Sequence, residues 1–457
     1  MKTAYACIAS LALAAWAFVR QAESPAKPPQ GLDPAIQKIV AEISEERIVA
    51  ILKKLESFGT RHTLSDPGRP NRGVGAARQW IFDEFRSYSP RLEVSFDTYQ
   101  VPKGGRVFKD VEVRNVMAVL PGKSDRERWV MIGGHYDSLN LRVPAELRSD
   151  PAKAAEIDAP GVTDNASGTA CVMECARVMS RYEFDATLVF VAFVGEEQGL
   201  IGARRLARRL RERNQTVEAL LNNDIIGSVV AGNGAMENRR VLVFSEDPAD
   251  SPSRQLARFI RLIGARYYPE FAADLIFRSD RFGRGGDHTP FNEEGYAAVR
   301  FTTPSENYAN QHSPTDNFAN TSPGYIVQVT RLNAAAAAAM ALAPRPPITV
   351  AESEAEAGAA AAGRTRSARP GLGRGEGYDA VLRWDYAGPE DDLAGFVVVV
   401  RATTAPDWER EIWVGNVREF TMKNTPIDQL VFGVKAVDRD GHESPVSAYY
   451  TPLRRAR

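Results

Sequence analysis

Leu188-Val189-Phe190-Val191-Ala192-Phe193-Val194 is an unbroken apolar run, and Gly195-Glu196-Glu197-Gln198-Gly199 follows it directly. The run has the length of a strand. A strand that is apolar on both faces is buried on both faces, as in a sheet covered by helices above and below. Two glycines and two adjacent carboxylates at its end mark a turn loaded with charge.

Outward from this run, strand-like and helix-like stretches alternate. Val116–Leu120 and Trp129–Ile132 read as short apolar strands, and Gly168–Met179 reads as a helix. Leu220–Ile226 and Val241–Phe244 read as strands, with a helix around Gln255–Ile263. Ala297–Phe301 is a further strand, and Tyr325–Leu342 a long final helix. Ahead of them, Ile36–Leu55 and Ala76–Phe85 have helical periodicity. This alternation predicts an α/β fold over residues 36–344, a three-layer sandwich with a mostly parallel central sheet.

The composition changes at Thr349. Residues 345–377 are rich in Ala, Glu, Gly and Arg, with few large apolar side chains, and read as a linker. Beyond them come strand signals alone, from Tyr378–Trp384 to Ser447–Tyr450. About seven short strands in this span predict a second, all-β sandwich domain over residues 378–453.

Bulk properties narrow the function. A chain of 457 residues exceeds one ordinary core. A net charge of −1 gives no electrostatic case for nucleic acid as a partner. Lys2 precedes an uncharged run from Tyr5 to Val19, too short to span a bilayer, and Ala15-Trp16-Ala17 has a small-x-small pattern. Residues 1–19 therefore read as a signal peptide, with a retained membrane anchor as the competing reading; a signal peptide implies a secreted or periplasmic protein without stable membrane insertion. Cys7 would leave with that segment. Cys171 and Cys175 lie four apart in a helical stretch, poor geometry for a disulfide, and read as small buried apolar residues.

The chemistry is concentrated in five stretches, most of them where a strand ends. They are Gly133-Gly134-His135-Tyr136-Asp137, Thr163-Asp164-Asn165-Ala166-Ser167-Gly168, Gly195-Glu196-Glu197, Asp224, and a loop containing His312. Sites of open α/β sheets form outside the carboxyl ends of the strands, so these groups converge. Two imidazoles and three carboxylates suit a pair of divalent metals about 3.5–4 Å apart, with one carboxylate bridging. Mixed His and carboxylate ligands suit zinc. Of two adjacent glutamates, one can bind metal while the other faces water whose pKa the metals lower towards ~7.

These motifs resemble those of the M28 family of zinc peptidases, which includes bacterial secreted aminopeptidases. The resemblance spans roughly Ile36 to Leu342. It rests on the five stretches together with Gly286-Asp287-His288-Thr289-Pro290-Phe291 and Glu306-Asn307-Tyr308-Ala309-Asn310-Gln311-His312. It implies two Zn2+ per chain: Asp164 bridging, His135 and Asp224 on one zinc, Glu197 and His312 on the other. It implies Glu196 as general base, with Asp137 orienting His135 and Asp316 as a second candidate for such a role. Tyr308 would donate to the tetrahedral intermediate, and Asp287 would lie near the site. The resulting expectation is a metallo-aminopeptidase acting on peptides or proteins.

Three alternatives stay open at this level. A carboxypeptidase of the family would use a similar ligand set, with a basic group receiving the free terminus; Arg281, Arg284 and Arg300 lie in the right region. A glutaminyl cyclase would use one zinc. A non-catalytic binding protein would lack a ligand or base, and all are present. His62 reads as packing or rim, and Ser138–Pro160 as a rim loop. The C-terminal segment resembles a fibronectin type III module through Leu382-Arg383-Trp384, Gly395–Arg401 and Val434–Pro445, although Leu430 stands where such modules usually carry a tyrosine. Such a domain would act in spacing or in docking another protein or surface.

Overall fold

The computed structural model describes residues 26–28, 31–349 and 370–450. The expected signal peptide, most of the expected linker and residues 451–453 lie outside these. Eight strands form one sheet: β1 Glu93–Val101, β2 Val111–Leu120, β3 Asp125–His135, β4 Ala186–Phe193, β5 Thr216–Asn223, β6 Arg240–Ser245, β7 Ala272–Ile276 and β8 Ala298–Thr302. Their order is β1-β2-β4-β3-β5-β8-β6-β7. The central run β4-β3-β5-β8 is parallel throughout. The antiparallel pairs lie outside that run, at β1–β2, β2–β4 and β6–β8.

The quoted run explains the layers. Leu188, Phe190, Ala192 and Val194 pack into a core on one face of the sheet. Val189, Val191 and Phe193 pack into a separate core on the other. Helices Ser167–Met179, Pro252–Tyr267 and Pro323–Leu342 cover the first face, and Ile201–Glu212 and His288–Glu293 the second. Pro323–Leu342 is buried nearly all round by its alanines, which lets neighbouring helices approach closely. Cys171 and Cys175 are free and buried, as expected.

The structure corrects several local expectations. The helical stretch at Ile36–Leu55 is two helices, Pro34–Ala41 and Glu45–Glu56, because the Ser44 hydroxyl caps the second by accepting from Arg47 N. The helix Ile201–Glu212 and strands β1 and β7 were not expected. The linker is shorter than 345–377: Ile348 already pairs with Asp385, and Gly371–Arg374 forms β9 of the second domain.

That domain consists of two antiparallel sheets. β9 pairs with β10 (Ala380–Arg383), which pairs with β13 (Glu419–Met422). The second sheet is β12-β11-β14-β15, with β11 Leu393–Ala402, β12 Arg410–Gly415, β14 Leu430–Asp438 and β15 Ser447–Ala448. Trp384 fills the space between the sheets, edge-on to Phe396 at 5.6 Å. The domain docks beside helix Pro252–Tyr267 through polar contacts. Arg401 meets Asp250, Arg261 meets Asp407, and Arg258 Nε donates to Pro406 O at 2.7 Å. A cavity of about 580 Å3 lies in this seam, and none of the expected ligands lines it.

Candidate metal centre

The four parallel strands deliver the expected groups to one end of the sheet. His135 is the last residue of β3, Glu196 and Glu197 follow β4, and Asp224 follows β5. His312 lies on the loop after β8, and Asp164 lies just before helix Ser167–Met179. That helix approaches β5 closely: a Cβ on Gly168 would fall 2.2 Å from Asn223 O, so only glycine fits there.

Two clusters result, and Asp164 belongs to both. In the first, His135 Nε2 lies 3.3 Å from Asp164 Oδ1 and 3.4 Å from Asp224 Oδ1. In the second, His312 Nε2 lies 3.0 Å from Asp164 Oδ2 and 3.1 Å from Glu197 Oε1. The two oxygens of one carboxylate thus face different histidines. Glu197 Oε1 accepts no hydrogen bond despite this proximity. His135 Nε2 and Asp224 Oδ1 share a long hydrogen bond of 3.4 Å, and a buried carboxylate oxygen left without one, beside a histidine nitrogen, fits a cation held between them.

The electrostatics agree with that fit. Burial alone would raise Asp164, but His135 and His312 hold its carboxyl well below the usual range. Burial, then the Asp164 charge, pushes Glu197 up to about 7. Burial opposes the His312 imidazolium, yet Asp164 and Glu197 push it up to about 11. Burial also drives Glu196 well above the usual range; His135 opposes this, while Glu197, Asp224 and Asp287 add to it. So many buried carboxylates need cations, and mixed His and carboxylate donors suit zinc.

The surrounding groups divide into expected and unexpected roles. His135 Nδ1 hydrogen-bonds the backbone carbonyl of Asp137 at 3.2 Å, and Asp137 Oδ1 lies 3.5 Å from the same nitrogen, so Asp137 orients the ring through both. Asp137 also accepts from Thr63 Oγ1 at 3.0 Å and faces the backbone N–H groups of Glu196 and Glu197 at 3.4 and 3.3 Å. Asp316 does something different from orienting a histidine. Its carboxylate accepts from Thr163 N at 2.7 Å and Asp164 N at 3.0 Å, so it holds the backbone of the shared ligand. Asp287 is fully buried with neither oxygen hydrogen-bonded.

Tyr308 lies at the surface, on the loop that carries His312. It is 68% exposed, and the group facing its hydroxyl is Glu306. The loop leaves its ring open to solvent. His62 joins neither cluster; its Nδ1 accepts from Leu64 N.

Arg300 was not placed by the sequence. It is fully buried, with Nε 3.0 Å from Asp224 Oδ2 and Nη1 3.0 Å from Asp280 Oδ2. Burial would raise Asp224, but Arg300 and His135 lower its carboxyl far below the usual range. Asp224 therefore turns one oxygen to His135 and the other to Arg300. An arginine inside the short, otherwise uncharged strand Ala298-Val299-Arg300-Phe301-Thr302 was the available signal.

A largely parallel sheet with two joined His–carboxylate clusters beyond its strand ends has the make-up of a metal-dependent hydrolase. The chain belongs to Peptidase family M28, the zinc metallopeptidases, and residues 115–337 match that family. It is 35% identical to a "Probable zinc metalloprotease" of Pyricularia oryzae, over 91% of this chain and 84% of that protein. It is 34% identical to a second from Leptosphaeria maculans, over 90% and 95%. These relatives are fungal, whereas the sequence resemblance was drawn to bacterial secreted members. Among solved structures, the LapA aminopeptidase of Legionella pneumophila shares the fold at TM-score 0.52 and 20% identity, over 69% of this chain and 76% of that one. An aminopeptidase from Aneurinibacillus sp. strain AM-1 does so at 0.50 and 16%, over 67% and 96%.

Proposed function

We propose that this zinc peptidase is an aminopeptidase that holds two zinc ions and releases N-terminal amino acids from peptides. The observation that carries the two-ion reading is the division of Asp164, with Oδ1 towards His135 and Oδ2 towards His312. His135, Asp164 and Asp224 would hold one ion, and Asp164, Glu197 and His312 the other. When bound, such ions polarise a carbonyl and make water acidic enough to ionise near neutral pH.

The protein's own residues complete the chemistry. Glu196 is half-buried beside the clusters and takes the proton of the attacking water, then passes it to the leaving amine. Asp137 keeps His135 in one tautomer and ties down the Glu196–Glu197 turn. Exopeptidase action at a free amine is supported by the carboxylates beside the clusters beyond the ligands themselves, Glu196 and Asp287, which suit an ammonium group. The aminopeptidase names of the structural neighbours support the same reading. Arg281 Nη2, 3.8 Å from Asp224 Oδ2, favours a carboxypeptidase as the second reading, since it suits a free carboxylate.

The signal-like N-terminus supports a secreted or periplasmic site of action. The C-terminal sandwich, with its core Trp384, is read as fibronectin type III-like and as a spacing or docking domain. The test of the activity is cleavage of one peptide series in free, N-acetylated and C-amidated forms. Release of amino acids from the free and amidated peptides but not the acetylated ones is expected. Cleavage lost on amidation instead would shift the assignment to a carboxypeptidase. Glu196→Gln should lower kcat by about 10²–10⁴-fold with zinc retained.

A further inference from the structure

Thr60-Arg61-His62-Thr63 lies ahead of residue 115, where the family match begins. Arg61 is nevertheless fully buried beneath the metal centre. Its guanidinium donates to four backbone carbonyls. Nε reaches Tyr136 O at 2.7 Å, Nη1 reaches Leu55 O at 3.1 Å and also Pro160 O, and Nη2 reaches Gly161 O at 2.7 Å. Tyr136 adjoins His135, and Gly161 lies three residues before Asp164. One rigid planar group therefore ties the backbone at a histidine ligand to the backbone leading into the shared aspartate.

The surroundings show that this tie is tightly built. Arg61 N donates to Ser138 Oγ at 3.0 Å, and Ser138 Oγ donates to Ala159 O at 2.7 Å. Two residues on, Thr63 holds Asp137. Gly161 has φ +51°, and a Cβ there would fall 2.6 Å from Asp164 O and 3.0 Å from Arg61 Nη2. A side chain at 161 would thus part the guanidinium from the ligand loop. A buried cation is costly unless compensated. Here the compensation is the carbonyl dipoles together with the nearby charges of Asp316, Asp137 and Asp164.

We infer that Arg61 is a positioning residue of the metal centre: it sets the spacing of His135 and Asp164 through the carbonyls of Tyr136, Pro160 and Gly161. The inference rests on the zinc-centre reading above. The role needs a fork rather than a charge alone. A lysine ammonium is a point donor and cannot span three separate backbone segments in one plane. The effect should therefore fall on metal affinity and kcat, and little on KM.

The test compares wild type, Arg61→Lys and Arg61→Ala. Zinc affinity is measured by competition with a chromophoric chelator, alongside kcat, KM and thermal unfolding of the metal-free proteins. Arg61→Lys is expected to fold, to bind zinc about 10–100-fold more weakly, and to lose kcat with KM nearly unchanged. Added guanidinium ion at sub-denaturing concentration should restore zinc binding to Arg61→Ala and leave Arg61→Lys unaffected. Wild-type zinc affinity in Arg61→Lys overturns the inference, and it decides the matter if Arg61→Ala does not fold. A wild-type protein that binds no zinc overturns the zinc-centre reading itself, which is a separate result.

Discussion

The two halves of the metal centre share Asp164 but are built differently. In the half formed with His135 and Asp224, the side chains are 1% and 3% exposed. Each has a partner behind it, Asp137 for the histidine and Arg300 for the aspartate. In the other half, His312 is 24% exposed and sits on a loop at φ +50°. Its backbone is held by Leu141 N, from the rim loop, rather than by a strand. One half is therefore anchored in the sheet and the other faces the solvent. The open half is where a substrate can enter and where an ion can leave.

This contrast leads to a graded set of expectations. The largest effect belongs to the shared ligand. Asp164→Ala should empty both halves, taking zinc content from about two per chain to near none; retention of one full zinc would show that the halves are independent. Next come the two histidines. His312→Ala should lose one ion and keep the buried one through dialysis against a weak chelator. His135→Ala should lose more, because removing it leaves Asp224 facing arginines, Arg300 and Arg281, instead of a metal-binding partner. Metal analysis of the dialysed variants gives the comparison directly, and equal losses would break it.

Arg300→Met should act on the anchored half alone. Weakening by about 10–100-fold at that site, with the open site unchanged, is the expected pattern from paired chelator titrations. A control lies far from both halves. His442 bonds Asp438 at 2.9 Å and Asp33 at 3.0 Å, joining the sandwich to the N-terminal segment. Burial opposes its charge, but the two carboxylates raise it from 6.5 to about 9. Its stabilisation is therefore complete below about pH 6.5 and is lost as pH rises through about 9. Urea unfolding should show a decline of roughly 1–3 kcal/mol over that window, flattened in His442→Gln, with zinc content the same in both. The smallest effect is expected at Tyr308. Tyr308→Phe should keep kcat within about twofold, since the ring points into solvent.

Much of the centre was legible because every ligand but His312 stands at the end of an apolar strand or at a helix start. Leu188–Val194 announced a strand buried on both faces, and Glu196 and Glu197 had to lie at its end. What was not legible depended on where backbones meet. Asp316 was expected beside a histidine, but it serves the N–H groups of Thr163 and Asp164, about 150 residues earlier in the chain. Tyr308 shares a motif with His312, yet its side chain is exposed where the histidine is part-buried. Arg61 bonds only carbonyls through its side chain, and no spacing of residue types reveals such partners.

The elements missed have their own reasons. Helix Ile201–Glu212 buries Ala203, Leu206, Ala207 and Leu210 at helical spacing. Five arginines between Arg204 and Arg211 hid that narrow stripe. β9 is Gly371-Leu372-Gly373-Arg374, with one large apolar residue, and it gains its place by pairing with β10. β1 and β7 are edge strands, buried little and therefore weakly patterned.

The central claim is that Asp164 lies between two ions. Anomalous scattering at the zinc edge from crystals of the zinc-loaded protein tests it most directly. Two peaks about 3.5–4 Å apart, one beside His135 and Asp224 and one beside Glu197 and His312, are the predicted result. A single peak at full zinc loading, or two peaks that do not flank Asp164, would contradict the account.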